Sequence, residues 1–275
     1  MDILRLALLS LAAGIAIILG ASFLFDAGRG AKETPPPRVA APQNQDNSGE
    51  AELRAARAKI EARIALAAPD YMRFFSRLKA LMPHEYGTIL DGFARQALEG
   101  VDMSNVDLLL SEAVRILRLS DGASAAKADG PALSRIFAMQ LTMMRALAAN
   151  NPKLCVAFLY GGASQAFFEF SSQNRALVAD MAIAGLEAID DGRFQKIERP
   201  PPSDADFALL ENALKAKQLT EPEIAALLDG KTPAPPIPDE RMCRVGQTYL
   251  ETLAELPEPA RLRIYGLAVE LMARS

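Results

Sequence analysis

Few residues of this chain have side chains that could carry out catalysis or bind a metal. His84 is the single histidine, so a Ser-His-Asp or Cys-His mechanism would have to use it. It follows Pro83 at a predicted helix start, which favours an exposed first-turn side chain. Zinc sites normally take three or four ligands, and His84, Cys155 and Cys243 give no convincing pattern. The sequence therefore predicts no catalytic residue, no metal site and no cofactor, and hence no enzyme.

The two cysteines instead favour a structural role. Their number is even, and the apolar N-terminal stretch described below predicts an oxidising compartment, where disulfides persist. A bond between Cys155 and Cys243 would close a loop of roughly 90 residues, which stabilises a fold by about 4 to 5 kcal/mol in the chain-entropy model. The alternative is two separate buried thiols, because free cysteine is among the most buried residue types. We predict the disulfide.

A group of methionine and phenylalanine residues is the candidate for a binding surface. Such side chains form an adaptable apolar surface that could hold a lipid or a hydrophobic peptide. The alternative is an ordinary helical core, since apolar residues at helical spacing usually face the interior. The candidate residues for an apolar ligand are Phe137, Met143, Met144, Phe158 and Phe167.

The charge balance excludes a nucleic-acid-binding protein that relies on bulk positive charge. The chain has 30 Lys and Arg residues against 34 Asp and Glu residues, a formal net charge of −4, whereas binding to the phosphate backbone needs a surplus of basic side chains. Half of its 275 residues are hydrophobic, which is too apolar for a disordered chain. These values are typical of a folded globular protein.

The first thirty residues carry the clearest signal of location. Residues 6–25 contain no charged side chain, and about 20 helical residues span the roughly 30 Å of bilayer hydrocarbon. A cleaved signal peptide is the alternative, but its apolar region would be shorter and would end in small residues. Phe23, Leu24 and Phe25 end this stretch instead. We expect an uncleaved, single-pass inner-membrane anchor.

The positive-inside rule gives a conflicting signal for the orientation of this anchor. Arg5 and the amino group precede the apolar stretch, whereas three basic residues follow it by position 38. That count slightly favours the opposite topology, but large domains are translocated largely regardless of charge. We expect residues 1–5 in the cytoplasm and the body in the periplasm. If the leader is cleaved, the whole protein would be periplasmic.

A proline-rich, disordered linker is predicted over residues 26–49. Residues 33–49 hold four prolines and almost no apolar bulk, so they cannot bury enough surface to offset the entropy of ordering. From Glu50 onward apolar residues recur at spacings of three and four, and no hairpin signal appears. The predicted fold is all-α: one globular domain of about ten helices, residues 50–275, whose last two helices form a hairpin over residues 239–275.

Several short signals mark the ends of individual helices. Ser203 is predicted to be an N-cap, and Thr220 opens the pattern of a capping box. Ser104 is predicted to cap the helix that follows it, and the turn at residues 190–192 is predicted to end the long helix before it. Residues 120–130 are small and polar, which favours a loop.

The anchor, the spacer and the lack of catalytic motifs predict a membrane-tethered periplasmic interaction module of the bacterial cell envelope. Its partners would be the inner membrane, through residues 6–25, and an envelope protein of unknown identity. The alternative function is a periplasmic domain that binds an apolar ligand in a Met/Phe-lined cavity. A closed cavity on the order of several hundred Å³ lined by Met143, Phe158 and Phe167 would favour this alternative, and a solid core would favour the interaction module.

Overall fold

A computed structural model describes residues 44–161 and 164–274 of the chain. Within these residues the chain forms twelve α-helices, one 3₁₀ segment and no strand. The all-α class is therefore confirmed, with twelve helices rather than about ten. The predicted anchor, residues 6–25, lies outside the described residues. None of the described helices combines the length and the apolar character needed to cross a bilayer.

The described helices are numbered in chain order. The 3₁₀ segment, Gly122–Lys127, connects the fourth helix to the fifth. In chain order the helices are α1 (Asn44–Ala67), α2 (Pro69–Leu81), α3 (Pro83–Leu98), α4 (Val106–Asp121), α5 (Gly130–Asn150), α6 (Pro152–Leu159), α7 (Gln165–Gln173), α8 (Arg175–Gln195), α9 (Asp204–Ala216), α10 (Glu221–Asp229), α11 (Asp239–Glu255) and α12 (Glu258–Arg274).

The first helix lies at one edge of the fold. Its fully buried residues recur at every fourth position, Ala56, Ile60 and Ile64, and the helix packs against α3 and α2. Arg57 Nη1 lies 3.2 Å from Asp91 Oδ1 of α3. Because α1 begins at Asn44, its first residues fall inside the range predicted as linker.

The central helices α5 and α8 pack against each other, and other helices pack against each of them. α8 also packs against α2, while α5 packs against α6 and α11. Most of the buried apolar side chains join one continuous cluster that runs from Ala56 to Met272. The helices therefore share a single core, and the C-terminal helices α11 and α12 are part of it.

The predicted N-caps of α9 and α10 are confirmed. The Ser203 hydroxyl accepts a hydrogen bond from the Asp206 amide, and the Asp206 carboxylate accepts one from the Ser203 amide at 2.7 Å. Thr220 and Glu223 form the same capping box at the start of α10. Each box satisfies amides that have no partner inside their helix.

The prediction that Ser104 caps α4 was wrong. Asn105 is the cap, since its side-chain oxygen accepts hydrogen bonds from the amides of Asp107 and Leu108 at 3.0 and 3.3 Å. Ser104 instead donates its amide and its hydroxyl to the Asp102 carboxylate at 2.8 Å. Both residue types are good caps, and the helix starts one residue later than predicted.

The 3₁₀ segment occupies the region predicted as a loop, and it packs against α8 and α12. α4 continues to Asp121 before this segment begins. The predicted helix end at residues 190–192 was also wrong, because α8 continues through Gly192 to Gln195. A Cβ atom at Gly192 would lie 1.9 Å from the backbone oxygen of Ser124. Gly192 therefore allows a close approach of two backbones inside a helix rather than ending that helix.

Candidate functional site: an apolar cavity and an exposed groove

A disulfide joins Cys155 of α6 to Cys243 of α11, as predicted. The two Cα atoms lie 5.6 Å apart and the residues are 88 positions apart in the chain. Both side chains are buried, with exposed fractions of 0% and 2%. The bond therefore links α11 covalently to α6, and it is shielded from solvent.

His84 lies exposed in the first turn of α3, as the sequence predicts. The Thr88 hydroxyl donates a hydrogen bond to the His84 backbone oxygen at 3.1 Å. Among the described residues, no group of three or more His, Cys, Asp and Glu side chains is arranged to hold a metal ion.

The predicted apolar ligand residues are all buried, but they divide among separate packing contacts. The Phe137 ring stacks on Tyr265 with ring centroids 3.8 Å apart. Phe158 and Phe167 form another pair, with centroids 6.1 Å apart. These ring contacts join α5 to α12 and α6 to α7, so they serve packing between helices.

The two predicted methionines occupy neighbouring positions on α5. Met143 is 0% exposed and Met144 is 1% exposed. The terminal methyl of Met144 fills the space beside Gly246 of α11, since a Cβ at Gly246 would lie 2.7 Å from Met144 Cε. Met144, like Phe137, therefore contacts another helix directly.

An apolar cavity lies elsewhere in the fold, among α2, α4, α5, α8, α12 and the 3₁₀ segment. Its volume is about 90 Å³. None of the five predicted ligand residues lines it. Its lining includes Phe74, Leu117, Gln140, Met181, Gly185 and Met272.

Two polar side chains contribute to the cavity lining. Gln140 is 6% exposed, and its Nε2 atom donates to the sulfur of Met272 at 3.6 Å. Arg118 Nη1 donates to the Met272 backbone oxygen at 3.0 Å. Burial, together with the nearby Arg115, lowers the pKa of the Arg118 guanidinium. The remaining lining is almost entirely hydrocarbon, which favours an apolar occupant.

Gly185 leaves open space on the face of α8 that borders the cavity. A Cβ atom at this position would meet no heavy atom within 4 Å. Met181 and Leu186 lie on the same face and also line the cavity. The sequence offers one signal for this site, an isolated glycine inside a helical pattern, which often has a packing or functional reason.

A second depression, an open groove of about 490 Å³, lies where the first turn of α3 meets the end of α8. Its wall includes Met82 and His84 on one side and Asp190 on the other. Phe194 borders the groove, and it is 83% exposed. Phe194 therefore places a large, strongly exposed apolar side chain beside a concave surface.

The rim of this groove is held in place by ion pairs. Arg193 Nη1 lies 2.7 Å from Glu85 Oε1 and 3.7 Å from Asp121 Oδ1. These contacts join the end of α8 to α3 and α4. Arg193, the residue directly before Phe194, is therefore held by two carboxylates.

A partly buried cluster of titratable groups joins four helices on another side of the fold. The Asp107 carboxylate accepts hydrogen bonds from the Tyr71 hydroxyl at 2.6 Å and from Arg175 at 2.8 and 3.0 Å. Arg175 also donates to the Ala67 backbone oxygen. Burial and the bond to Asp107 raise the pKa of Tyr71 far above its ordinary value. These groups satisfy one another, so we assign the cluster to structure.

Comparison of the chain with protein-family models, with curated proteins and with solved structures finds no match. Of the concave features formed by the described residues, we base the functional argument on the apolar cavity and the Phe194 groove.

Proposed function

We propose that this chain is a membrane-tethered periplasmic module that binds another protein of the cell envelope. Residues 6–25 would anchor it in the inner membrane, and the proline-rich segment after them would hold the helical body away from the bilayer. The observation that carries the proposal is the buried disulfide between Cys155 and Cys243. Such bonds persist in oxidising compartments and are rare in the cytosol.

The partner-binding surface in this proposal is the groove beside Phe194. Aromatic and arginine side chains are enriched among the residues that contribute most to protein binding, and here Phe194 follows Arg193 directly. Because Glu85 and Asp121 already hold Arg193, its side chain would lose little conformational freedom on binding. The polar residues His84 and Asp190 would form the rim around this aromatic anchor.

Site-specific photocrosslinking in membranes tests the binding surface. The full chain would carry the photoreactive amino acid p-benzoylphenylalanine at position 194 or, as a control, at position 66. Leu66 is also a strongly exposed apolar residue, 88% exposed, but it lies on α1. We expect a discrete crosslinked protein from position 194 that is absent from position 66. Equal crosslinking from both positions, or none from either, would contradict the assigned surface.

Reporter fusions test the compartment separately. Alkaline phosphatase fused after Gln43, ahead of α1, should be active because this enzyme needs the periplasm to form its disulfides. Green fluorescent protein at the same junction should be dark if the fusion is exported through the Sec pathway. The reverse pattern would place the body in the cytoplasm and would remove the basis of the proposal.

A further inference from the structure

The apolar cavity has the properties of a small ligand site rather than those of ordinary core packing. The cavity measures about 90 Å³ and is partly open to the protein surface. Since a water molecule takes about 30 Å³ in the liquid, the space corresponds to roughly three such volumes. A branched or linear chain of a few carbon atoms would fill it.

The walls of the cavity favour an aliphatic occupant. Met181 and Met272 line it from α8 and α12, and methionine side chains adapt to irregular apolar shapes. Gly185 adds open space between them, although an alanine at that position would fit without contact. A helix interior normally favours alanine over glycine by about 1 kcal/mol. The glycine therefore keeps free a volume that the commonest small side chain would occupy.

Gln140 adds one specific polar feature. The residue is 6% exposed, and its Nε2 atom donates a hydrogen bond to the Met272 sulfur at 3.6 Å. A thioether is a weak acceptor. Buried amides normally have stronger partners. An occupant with a hydroxyl or a carbonyl group could supply such a partner inside an otherwise apolar space.

We propose that this cavity binds a short aliphatic chain that carries one uncharged hydrogen-bonding group, such as the hydroxyl of an alcohol or the carbonyl of an ester. The chain packs against Met181 and Met272, and the polar group pairs with the Gln140 amide. A peptide is a poorer fit because its backbone would bring several polar groups into a space that offers few partners. The proposal is independent of the partner-binding surface at Phe194.

The ε-methyl groups of methionine provide a direct test by NMR. The full chain, labelled with ¹³C at these methyls and reconstituted in nanodiscs of deuterated lipid, would be titrated with 1-hexanol. We expect the signals of Met181 and Met272 to shift and to show nuclear Overhauser effects to hexanol protons. The signals of Met143 and Met144, which lie outside the cavity lining, should not respond.

Two substitutions distinguish a site from nonspecific partitioning. Gly185→Leu places a side chain in the open space and should abolish the hexanol-dependent shifts. Gly92→Leu is the matched control, since Gly92 of α3 also has open space around its Cβ position but does not line the cavity. Gln140→Met keeps the volume and removes the amide, so it should weaken hexanol binding roughly three- to tenfold. Circular dichroism would show that each variant is folded.

The same spectra identify the source of the chain. With protonated lipid and no hexanol, contacts from acyl protons to the Met181 methyl would identify the bilayer as the source. Contacts from hexanol alone would identify a free amphiphile. Shifts that are equal in Gly185→Leu and the unsubstituted chain, or a complete lack of response from both Met181 and Met272 in either lipid, would overturn the proposal.

Discussion

Arg263 of α12 forms a two-bond ion pair with Asp206, the residue that completes the capping box of α9. Arg263 Nε and Nη2 lie 2.9 and 2.5 Å from the two carboxylate oxygens. Arg241 of α11 makes the same paired contact with Glu223, the corresponding residue of the capping box of α10. Each acidic residue therefore caps the start of one helix and also binds an arginine of α11 or α12.

Replacing the arginine of such a pair should destabilise the fold measurably. Asp206 has a side chain that is 4% exposed, so Arg263→Ala would leave a buried carboxylate with fewer partners. We expect the free energy of unfolding to fall by roughly 2 to 4 kcal/mol, measured by urea denaturation. Arg244→Ala is the control. Its side chain is 58% exposed and pairs with Glu240 one turn away, so the change should stay below about 0.5 kcal/mol.

The Glu223 pair should make stability depend on pH in acid. The hydrogen bonds from Arg241 and Thr220 lower the pKa of Glu223 from its ordinary value of 4.5 to about 2. Because the folded state holds the carboxylate ionised, this stabilisation is complete above about pH 4.5 and is lost as the pH falls through about 2. Asp206 has its pKa lowered in the same direction by Arg263, so it adds to the effect.

Urea denaturation of the Glu223→Gln variant between pH 6 and pH 2 checks this prediction. The variant should be less stable than the unsubstituted chain at pH 6, and the difference should shrink as the pH falls. Glu240→Gln removes a carboxylate from a side chain that is 73% exposed, and it serves as the control. A difference between Glu223→Gln and the unsubstituted chain that stays constant over this range would contradict the assignment.

Loss of the disulfide should destabilise the fold strongly. The bond spans 88 positions, and the chain-entropy model gives about 4 to 5 kcal/mol for a loop of this length. We expect the Cys155→Ala/Cys243→Ala variant to lose stability of this order in denaturant unfolding. A reducing agent should lower the stability of the unsubstituted chain but leave the variant unchanged. Free labelling of both thiols in non-reduced protein isolated from membranes would show that the bond does not form there.

Two glycines on the same helix should respond in opposite ways to alanine. At Gly192 the added Cβ would lie 1.9 Å from the Ser124 backbone oxygen, so the backbones must separate. We expect Gly192→Ala to lower the free energy of unfolding by about 3 kcal/mol or more. At Gly185 the added methyl meets no atom within 4 Å, and Gly185→Ala should raise the free energy by about 0.5 to 1 kcal/mol. Thermal unfolding of both variants would measure the contrast.

The helices could be predicted wherever their signals are local. The capping boxes that begin at Ser203 and Thr220 each lie within four consecutive residues, so no tertiary information is needed to recognise them. The disulfide could be predicted because two cysteines allow one pairing within the chain. Gly192 shows where local reasoning fails. Glycine after two aspartates is typical of a helix end, but here Ser124 packs against it and the helix continues.

The candidate sites depend on which faces of distant helices meet, and sequence periodicity does not give that information. The helical spacing of Phe137 and Met144 fits a ligand-binding face and fits a buried core face equally well. The structure places both side chains against α11 or α12. The cavity is formed where Gly185, Gln140 and Met272 meet, and these residues come from three separate helices. The spacing of apolar residues along α5 does not predict that the polar side chain of Gln140 is buried.

The position of the 3₁₀ segment also determines the order in which the fold can be completed. Arg199 binds the Ala126 backbone oxygen from 73 residues further along the chain, and Arg118 binds that of Met272 from 154 residues before it. Long-range contacts of this kind cannot form until the late residues are available, and they slow folding. A chain made from its N-terminus could pack Gly122–Lys127 against α8 first, but the contacts of this segment with α12 form only when α12 is finished. Until α12 packs, the part of the core that it covers would be open to proteases and to aggregation.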